Sequence, residues 1–464
     1  MAQQPTLWGL ATDILWRLRP AFSRTATFAW FCLVVAGMMV RNDRYGVTSL
    51  IRAVGLPARA YDRMLDAFHS RAWNVDALAA LWVKVVFAVF PLMKSTDGRP
   101  IIITDGIKRP KSGRRMPGVK RLHQSSDSNS KREYINGHSL HSVGVLAFRG
   151  RKTVCVPLSV ELIEGVEFSP RRRTIFDRLA ALLGRLCLHN AILVGDAYYG
   201  AAELRRQAAK LEIAVVSRAR KNAVAYRQPE RKTGRGRPAT YGAKVHTSNL
   251  AGNWTGSMPS PFDGDGDAIL LFRCDDLLVK PDGRNIRFVT VQHPDRGTIA
   301  ITSTDLTIPP EELIRIYALR FKIEVAFKAA IHIVGAFDYH FWMRDMKRLT
   351  RFPKDQYLHR ADDRYRDAVR RKLGAYHHYM QAGTIAHGIM QAMALLAPAT
   401  VWQKFNTWMR TMDEKNIPSE FVVAQALRNT REGFFAGFAK RACMDKFMRK
   451  LFPCENQARE ERAA

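Results

Sequence analysis

Acidic residues are the scarce ones. The chain has 42 Asp and Glu against 73 Lys and Arg, which leaves a formal net charge of +31. Such an imbalance costs a compact chain self-repulsion that a polyanionic partner would relieve, so a nucleic acid is the favoured partner, with a ribosomal-type structural role or attachment to an anionic membrane as the alternatives. Cysteine is also sparse: Cys32, Cys155, Cys187, Cys274, Cys443 and Cys454 stand apart, with no Cys-x-x-Cys pair and no His at zinc-ligand spacing. A disulfide framework and a zinc module are therefore excluded, and a reducing cytoplasm fits. Long apolar runs are missing too. The longest, Thr25 to Val40, has 16 residues between Arg24 and Arg41, short of the ~20 that span a bilayer. It lies behind charged residues without a cleavage signal, so it reads as a buried core helix and no membrane partner is expected. No internal repeat is present.

What is there is ordinary globular material, 47% apolar over 464 residues, long enough for a large core domain with appended parts. Residues 1–95 carry apolar positions at three- and four-residue spacing and read as a helical, DNA-binding region. Within it Thr48 to Val54 and Ala58 to Phe68 flank the turn Gly55-Leu56-Pro57. This is the layout of a helix-turn-helix with Arg59 and Arg63 facing outward, and equally that of a plain helical hairpin. Residues 96–219 begin with short β-branched runs: Ile101 to Ile103 ends at Asp105, two strands over Leu140 to Leu146 and Lys152 to Val160 follow, and Ile192 to Val194 ends at Asp196. Alternating helix and strand then complete a mixed α/β sheet. Residues 220–308, rich in Gly, Pro and Asp, read as a β-rich insertion. Pro309-Pro310 opens a strong helix through Ala330 in a second core segment (309–375), and residues 376–464 read as helical again.

Three carboxylates stand out. Asp105 and Asp196 each sit at the end of a strand, where ligands of such sheets collect. On the late helix, Tyr317, Arg320, Glu324 and Lys328 are spaced three, four and four and share one face. The same spacing also suits surface ion pairs of Glu324 with Arg320 and Lys328.

The run Tyr317-x-x-Arg320-x-x-x-Glu324, behind the aspartates of "IIITDG" and "LVGDAYYG", resembles the insertion-sequence DDE transposases, particularly the insertion-sequence-4 family. "YINGH" (134–138) and "WMRTMDEKNIPSEFVV" are similar more loosely. The resemblance covers residues 99–345 and implies an RNase H-like fold interrupted by a β-rich insertion. It implies Asp105, Asp196 and Glu324 as catalytic ligands of two Mg²⁺ ions, with Mn²⁺ able to substitute, converging within about 8 Å. Tyr317, Arg320 and Lys328 would contact DNA. Two positions depart from the family pattern: Ile331 stands where the family has Lys seven residues after its Glu, and Tyr198 where Gly is common.

Basic segments surround these positions. Lys108 to Arg132 holds nine Lys and Arg against one acid, Arg218 to Lys244 nine against one, and Arg344 to Lys372 eleven against five. Lys108, Arg114, Arg115 and Lys120 are the expected DNA contacts of the first. Arg235 and Arg237, in "GRGRP", resemble a minor-groove hook or a basic loop. His138 and His141 read as structural, and Trp342, Trp402 and Trp408 as core. The expectation is a bacterial, nucleoid-associated enzyme that cuts transposon ends and joins them to target duplex DNA as a homodimer. A DNA-binding regulator without catalysis and a nuclease of the same fold are the alternatives.

Overall fold

The computed structural model describes residues 6–124, 132–150, 152–171, 173–230, 238–262, 264–407 and 412–434, with positions 447, 449 and 451. Arg235, Arg237 and Trp408 lie outside the described residues. The chain opens with α1 (Leu7–Arg17), α2 (Thr25–Val40), α3 (Gly46–Ala53), α4 (Ala60–His69) and α5 (Val75–Val89). Helix α2 is apolar on every side and buries 13 of its 16 residues, as a central helix must. Helices α3 and α4 form the hairpin around Gly55, with Arg59 and Arg63 exposed. No single described helix is long and apolar enough to cross a membrane.

Strands follow: β1 (Ile101–Pro110), β2 (Lys120–His123), β3 (Tyr134–Arg149), β4 (Lys152–Leu162) and β5 (Val166–Glu167). Then come α6 (Ile175–Arg185), β6 (Ile192–Gly195), α7 (Ala202–Ala209) and β7 (Ala214–Arg218). The next region supplies β8 (Val224–Tyr226), β9 (Lys244–His246), β10 (Gly256–Pro259), β11 (Ile269–Val279), β12 (Arg284–His293) and β13 (Gly297–Ser303). The chain returns through α8 (Pro310–Ala318), α9 (Lys322–Ala329), β14 (Gln356–Tyr357), α10 (Asp363–Leu396), α11 (Pro398–Phe405) and α12 (Glu420–Asn429).

One mixed sheet dominates, ordered β2-β3-β1-β6-β7-β13-β12-β11-β8-β9, with β4 also on β3 and β10 on β11. Strand β1 runs antiparallel to β3 and parallel to β6, and β6 parallel to β7. Alternation along β1 sends Ile102 to one face, in the core of α6, α7 and the N-terminal helices, and Ile101 and Ile103 to the other, against α8 and α9.

Four expectations change. Strand β1 does not stop at Asp105, because its antiparallel ladder with β3 continues to Pro110 opposite Gly137. The late helix is not continuous: a 3₁₀ turn, Leu319–Phe321, separates α8 from α9, and a π turn, Ala330–Val334, closes it. The region 220–308 is not set apart from the core, since β13 pairs with β7 and carries the central sheet onward. Trp342 is also at the surface, 63% exposed, while Trp402 packs on the core and donates to Asn416 O at 2.9 Å.

Helix α10 backs the sheet, capped by Asp362, whose carboxylate accepts from Tyr365 N at 2.8 Å. Gly388 in it lies under the Trp82 ring, which is fully buried and donates to Pro157 O of β4 at 2.9 Å. A Cβ at 388 would sit 2.3 Å from Trp82 Cζ2. Gly388→Ala should therefore cost about 1–3 kcal/mol through overpacking, read as a lower urea midpoint with an unchanged slope. An unaltered midpoint would show that this layer can rearrange freely.

Candidate functional site

The two parallel neighbours β1 and β6 are paired Ile101 to Ile192, Ile102 to Leu193 and Ile103 to Val194. Two residues further in the same register, just past the end of the ladder, Asp105 faces Asp196. Strand neighbours lie about 4.8 Å apart, so the aspartates share one end of two adjacent strands. Alternation places both on the face of Ile103 and Val194, which α8 and α9 cover. That cover carries Glu324.

One guanidinium joins the first and third acids. Arg320, in the 3₁₀ turn, donates from Nη1 to Asp105 Oδ2 at 3.2 Å and from Nη2 to Glu324 Oε1 at 2.6 Å. It also hydrogen-bonds the Tyr317 hydroxyl. Burial pushes the Asp105 carboxyl up to about 6; Arg320 and the Gly106 amide oppose this, while the Asp196 and Glu324 charges reinforce it. Asp105 therefore feels the charge of both other acids. Asp105 is largely covered, its side chain 19% exposed, whereas Glu324 is 53% exposed. Among the described residues no three His, Cys, Asp or Glu side chains are grouped so as to hold a metal ion. The donor set itself, three carboxylates supplying hard oxygens, suits Mg²⁺.

The turn after β6 is built around Asp196. Its carboxylate accepts from Tyr198 N at 2.8 Å, and its carbonyl from Tyr199 N at 3.1 Å. Gly195 is required here, because a Cβ would meet the Tyr199 ring at 2.6 Å. Tyr199 is buried and shares a 2.9 Å hydrogen bond with His141 Nε2. Burial first, then the Asp105 and Asp196 charges, push its hydroxyl well up, so it stays neutral beneath the acids. His138 is likewise buried and bonded to Pro117 O at 3.0 Å. Both histidines are structural, with burial pushing them down to about 3 and about 4, respectively.

The other expected residues divide. Lys328 is exposed and forms no ion pair among the described residues, so only the Arg320 half of the anticipated helix-surface pairing occurs. Lys108 is exposed and donates to His123 O at 2.6 Å, and Arg115 to Arg344 O at 2.6 Å. Arg114 is exposed. Lys120 is already committed: its ammonium lies 3.3 Å from Glu164 and 2.9 Å from Asp355. Those neighbours are 44 and 235 residues away, so composition around Lys120 could not reveal them.

A cleft of about 430 Å³ opens beside the acids, lined by Arg218, Arg296, Arg320, Phe262, Tyr317 and Phe321. Phe262 and Arg296 come from loops flanking β11 and β12, and no local signal in their surroundings points to this place. Arg218 ends β7, and its basic neighbourhood was the available hint.

A family model described as DDE superfamily endonuclease matches residues 17–256, which include Asp105 and Asp196 and end before Glu324. No curated protein matches the chain. Among solved structures, the piggyBac transposase synaptic complex with hairpin DNA is 11% identical, with a TM-score of 0.39, over 96% of this chain and 82% of that one.

Asp105 offers a check of the crowding that needs no substrate. Its folded value of about 6 lies above the ordinary carboxyl range, so the ionised form costs stability that the protonated form does not. Without divalent metal, wild type should lose stability as pH rises from about 4 through about 6, by at most about 3 kcal/mol. Asp105→Asn should escape that loss, being the more stable protein at pH 7.5 and not at pH 4 in urea unfolding. Parallel pH profiles would mean that Asp105 is solvated and free of its acidic neighbours.

Proposed function

The chain belongs to the DDE superfamily endonucleases, and on that footing we propose that it is a transposase that cleaves transposon ends and transfers the strands to target DNA. The observation that carries this reading is the register of β1 and β6, which sets Asp105 beside Asp196 under the element that brings Glu324. The Tyr317-x-x-Arg320-x-x-x-Glu324 run supports a member like the insertion-sequence-4 transposases. The strand order β4-β3-β1-β6-β7, with helices on both faces, supports an RNase H-like core.

Phosphodiester transfer needs an activated oxygen nucleophile on one side of phosphorus and a stabilised leaving oxygen on the other. Asp105, Asp196 and Glu324 would hold the two Mg²⁺ ions. The ions would supply Lewis-acid polarisation and relief of developing charge. Arg320, freed from the acids, would turn its fork to a phosphate, which guanidinium geometry matches in two hydrogen bonds. Tyr317, beside it, would position the strand in the adjacent cleft. A homodimer follows from the need to hold two ends together, in the bacterial cytoplasm where the DNA is.

A second reading, a DNA-binding regulator without catalysis, is favoured by one observation: Arg320 already neutralises Asp105 and Glu324. One assay separates the two, Mg²⁺-dependent cleavage of a labelled duplex carrying the element's own end, with wild type and Glu324→Gln at matched occupancy. Gln is nearly isosteric, and an exposed helix pair contributes only about 0.3–0.5 kcal/mol, so fold and binding should persist. Cleavage should fall by at least two orders of magnitude. Equal cleavage would remove Glu324 from the site, and tight binding without cleavage by either protein would make the chain a regulator. Recovery of joined target strands separates a transposase from a nuclease.

A further inference from the structure

Two basic stretches more than two hundred residues apart are stitched together away from the acids. The first, residues 106–123, has seven Lys and Arg and no acid; the second, residues 344–354, has five against one. Backbone hydrogen bonds bind them: Leu349 N to Arg114 O at 2.7 Å, Met343 N to Arg115 O at 2.9 Å, and Arg121 N to Pro353 O at 2.8 Å. Asn136 Nδ2 adds a bond to Arg351 O at 3.2 Å. Between them opens a cavity of about 440 Å³ whose wall includes Arg114, Arg348, Arg351, Asn136 and Thr350. The three arginines are exposed and form no ion pair among the described residues. At its rim Arg121 is sandwiched between Tyr134 and Phe352, 4.0 and 4.4 Å from the ring centroids.

Like charges fixed together by backbone repel, and among the described residues no acid pairs with these three arginines, Asp355 and Glu164 being engaged with Lys120. The missing charge must come from outside. The cavity begins at Lys111, six residues beyond Asp105 along the line of β1, or about 20 Å at strand rise. Successive phosphates of one DNA strand advance about 3.4 Å along the axis, so that span equals roughly six nucleotides.

We infer that this cavity anchors the phosphate backbone of duplex DNA about six nucleotides from the bond to be cut, using Arg114, Arg348 and Arg351. The inference rests on the reading of the chain as a DNA-handling enzyme, but its binding requires neither metal nor chemistry. The guanidiniums take the phosphate oxygens, the Asn136 amide and Thr350 hydroxyl lie within the same wall, and the Arg121 stack stiffens the rim. The site would then fix how far along an end the protein grips, separately from where it cuts.

The test compares wild type with a variant carrying Arg114→Ala, Arg348→Ala and Arg351→Ala. A control loses the same charge elsewhere through Lys84→Ala, Lys210→Ala and Arg315→Ala. Binding to a labelled 30-base-pair duplex of arbitrary sequence, without divalent metal, is followed against salt. Every phosphate that is no longer neutralised should flatten the slope of log K against log salt by about 0.9. The cavity variant should therefore flatten it by about 1–3 and the control should not, whether or not wild type cleaves DNA. Equal slopes in the two variants would overturn the inference. So would tight uptake of inorganic phosphate that the cavity variant alone loses while its DNA slope stays at the wild-type value, since the ligand would then be a small phosphate. On a duplex with the element's own end, single methylphosphonates should weaken wild type several-fold about six nucleotides from the cut and leave the cavity variant unaffected. Coupling confined to the cut itself would also overturn it.

Discussion

Strand β1 is hydrogen-bonded along both edges, antiparallel to β3 and parallel to β6, and the placement of the acids follows from this double pairing. The parallel side sets the register that makes Asp105 and Asp196 neighbours. The antiparallel side carries the strand beyond Asp105 to Pro110 and so toward the basic cavity. A slip of one residue against β6 would send every side chain of the partner to the opposite face, and the acids would part. The buried run Ile101 to Ile103, packed on both faces of the sheet, holds that register.

The electrostatic pattern has one logic at two places. At the acids, negative charges are forced together and burial raises Asp105, so a cation is needed; among the described residues Arg320 meets both Asp105 and Glu324. At the cavity, positive charges are forced together and, among the described residues, no acid pairs with its three arginines. Net charge reports only the sum of these, whereas the fold separates them by a short length of one strand.

Much of this was legible in the sequence wherever the signal was local. The apolar run of α2, the β-branched starts of β1 and β6 and the Pro-initiated α8 coincide with the elements found. Glu324 was reachable because Tyr317, Arg320 and Glu324 are helical neighbours, and that spacing survives the 3₁₀ turn well enough for Arg320 to meet Glu324. The pairing of Arg320 with Asp105 was not, because 215 residues lie between them. For the same reason Lys120 looked available while its partners were out of sight, and Phe262 and Arg296 gave no sign of approaching the acids. Trp342 was misplaced because a large aromatic is usually core; its side chain stands at the surface just before the basic stretch that begins at Arg344.

The pairing of β13 with β7 bears on how the chain could be shortened or evolve. A Gly- and Pro-rich stretch between two core segments invites deletion, as if it were a detachable ornament. Yet β13 occupies the donors and acceptors along one side of β7 through Ile301 to Arg218, Thr302 to Ser217 and Ser303 to Val216. Excising the whole stretch would leave β7 as a bare sheet margin, a template on which a second chain could add a strand. A minimal version of this protein would have to keep β13, or bury that margin some other way, to avoid aggregating.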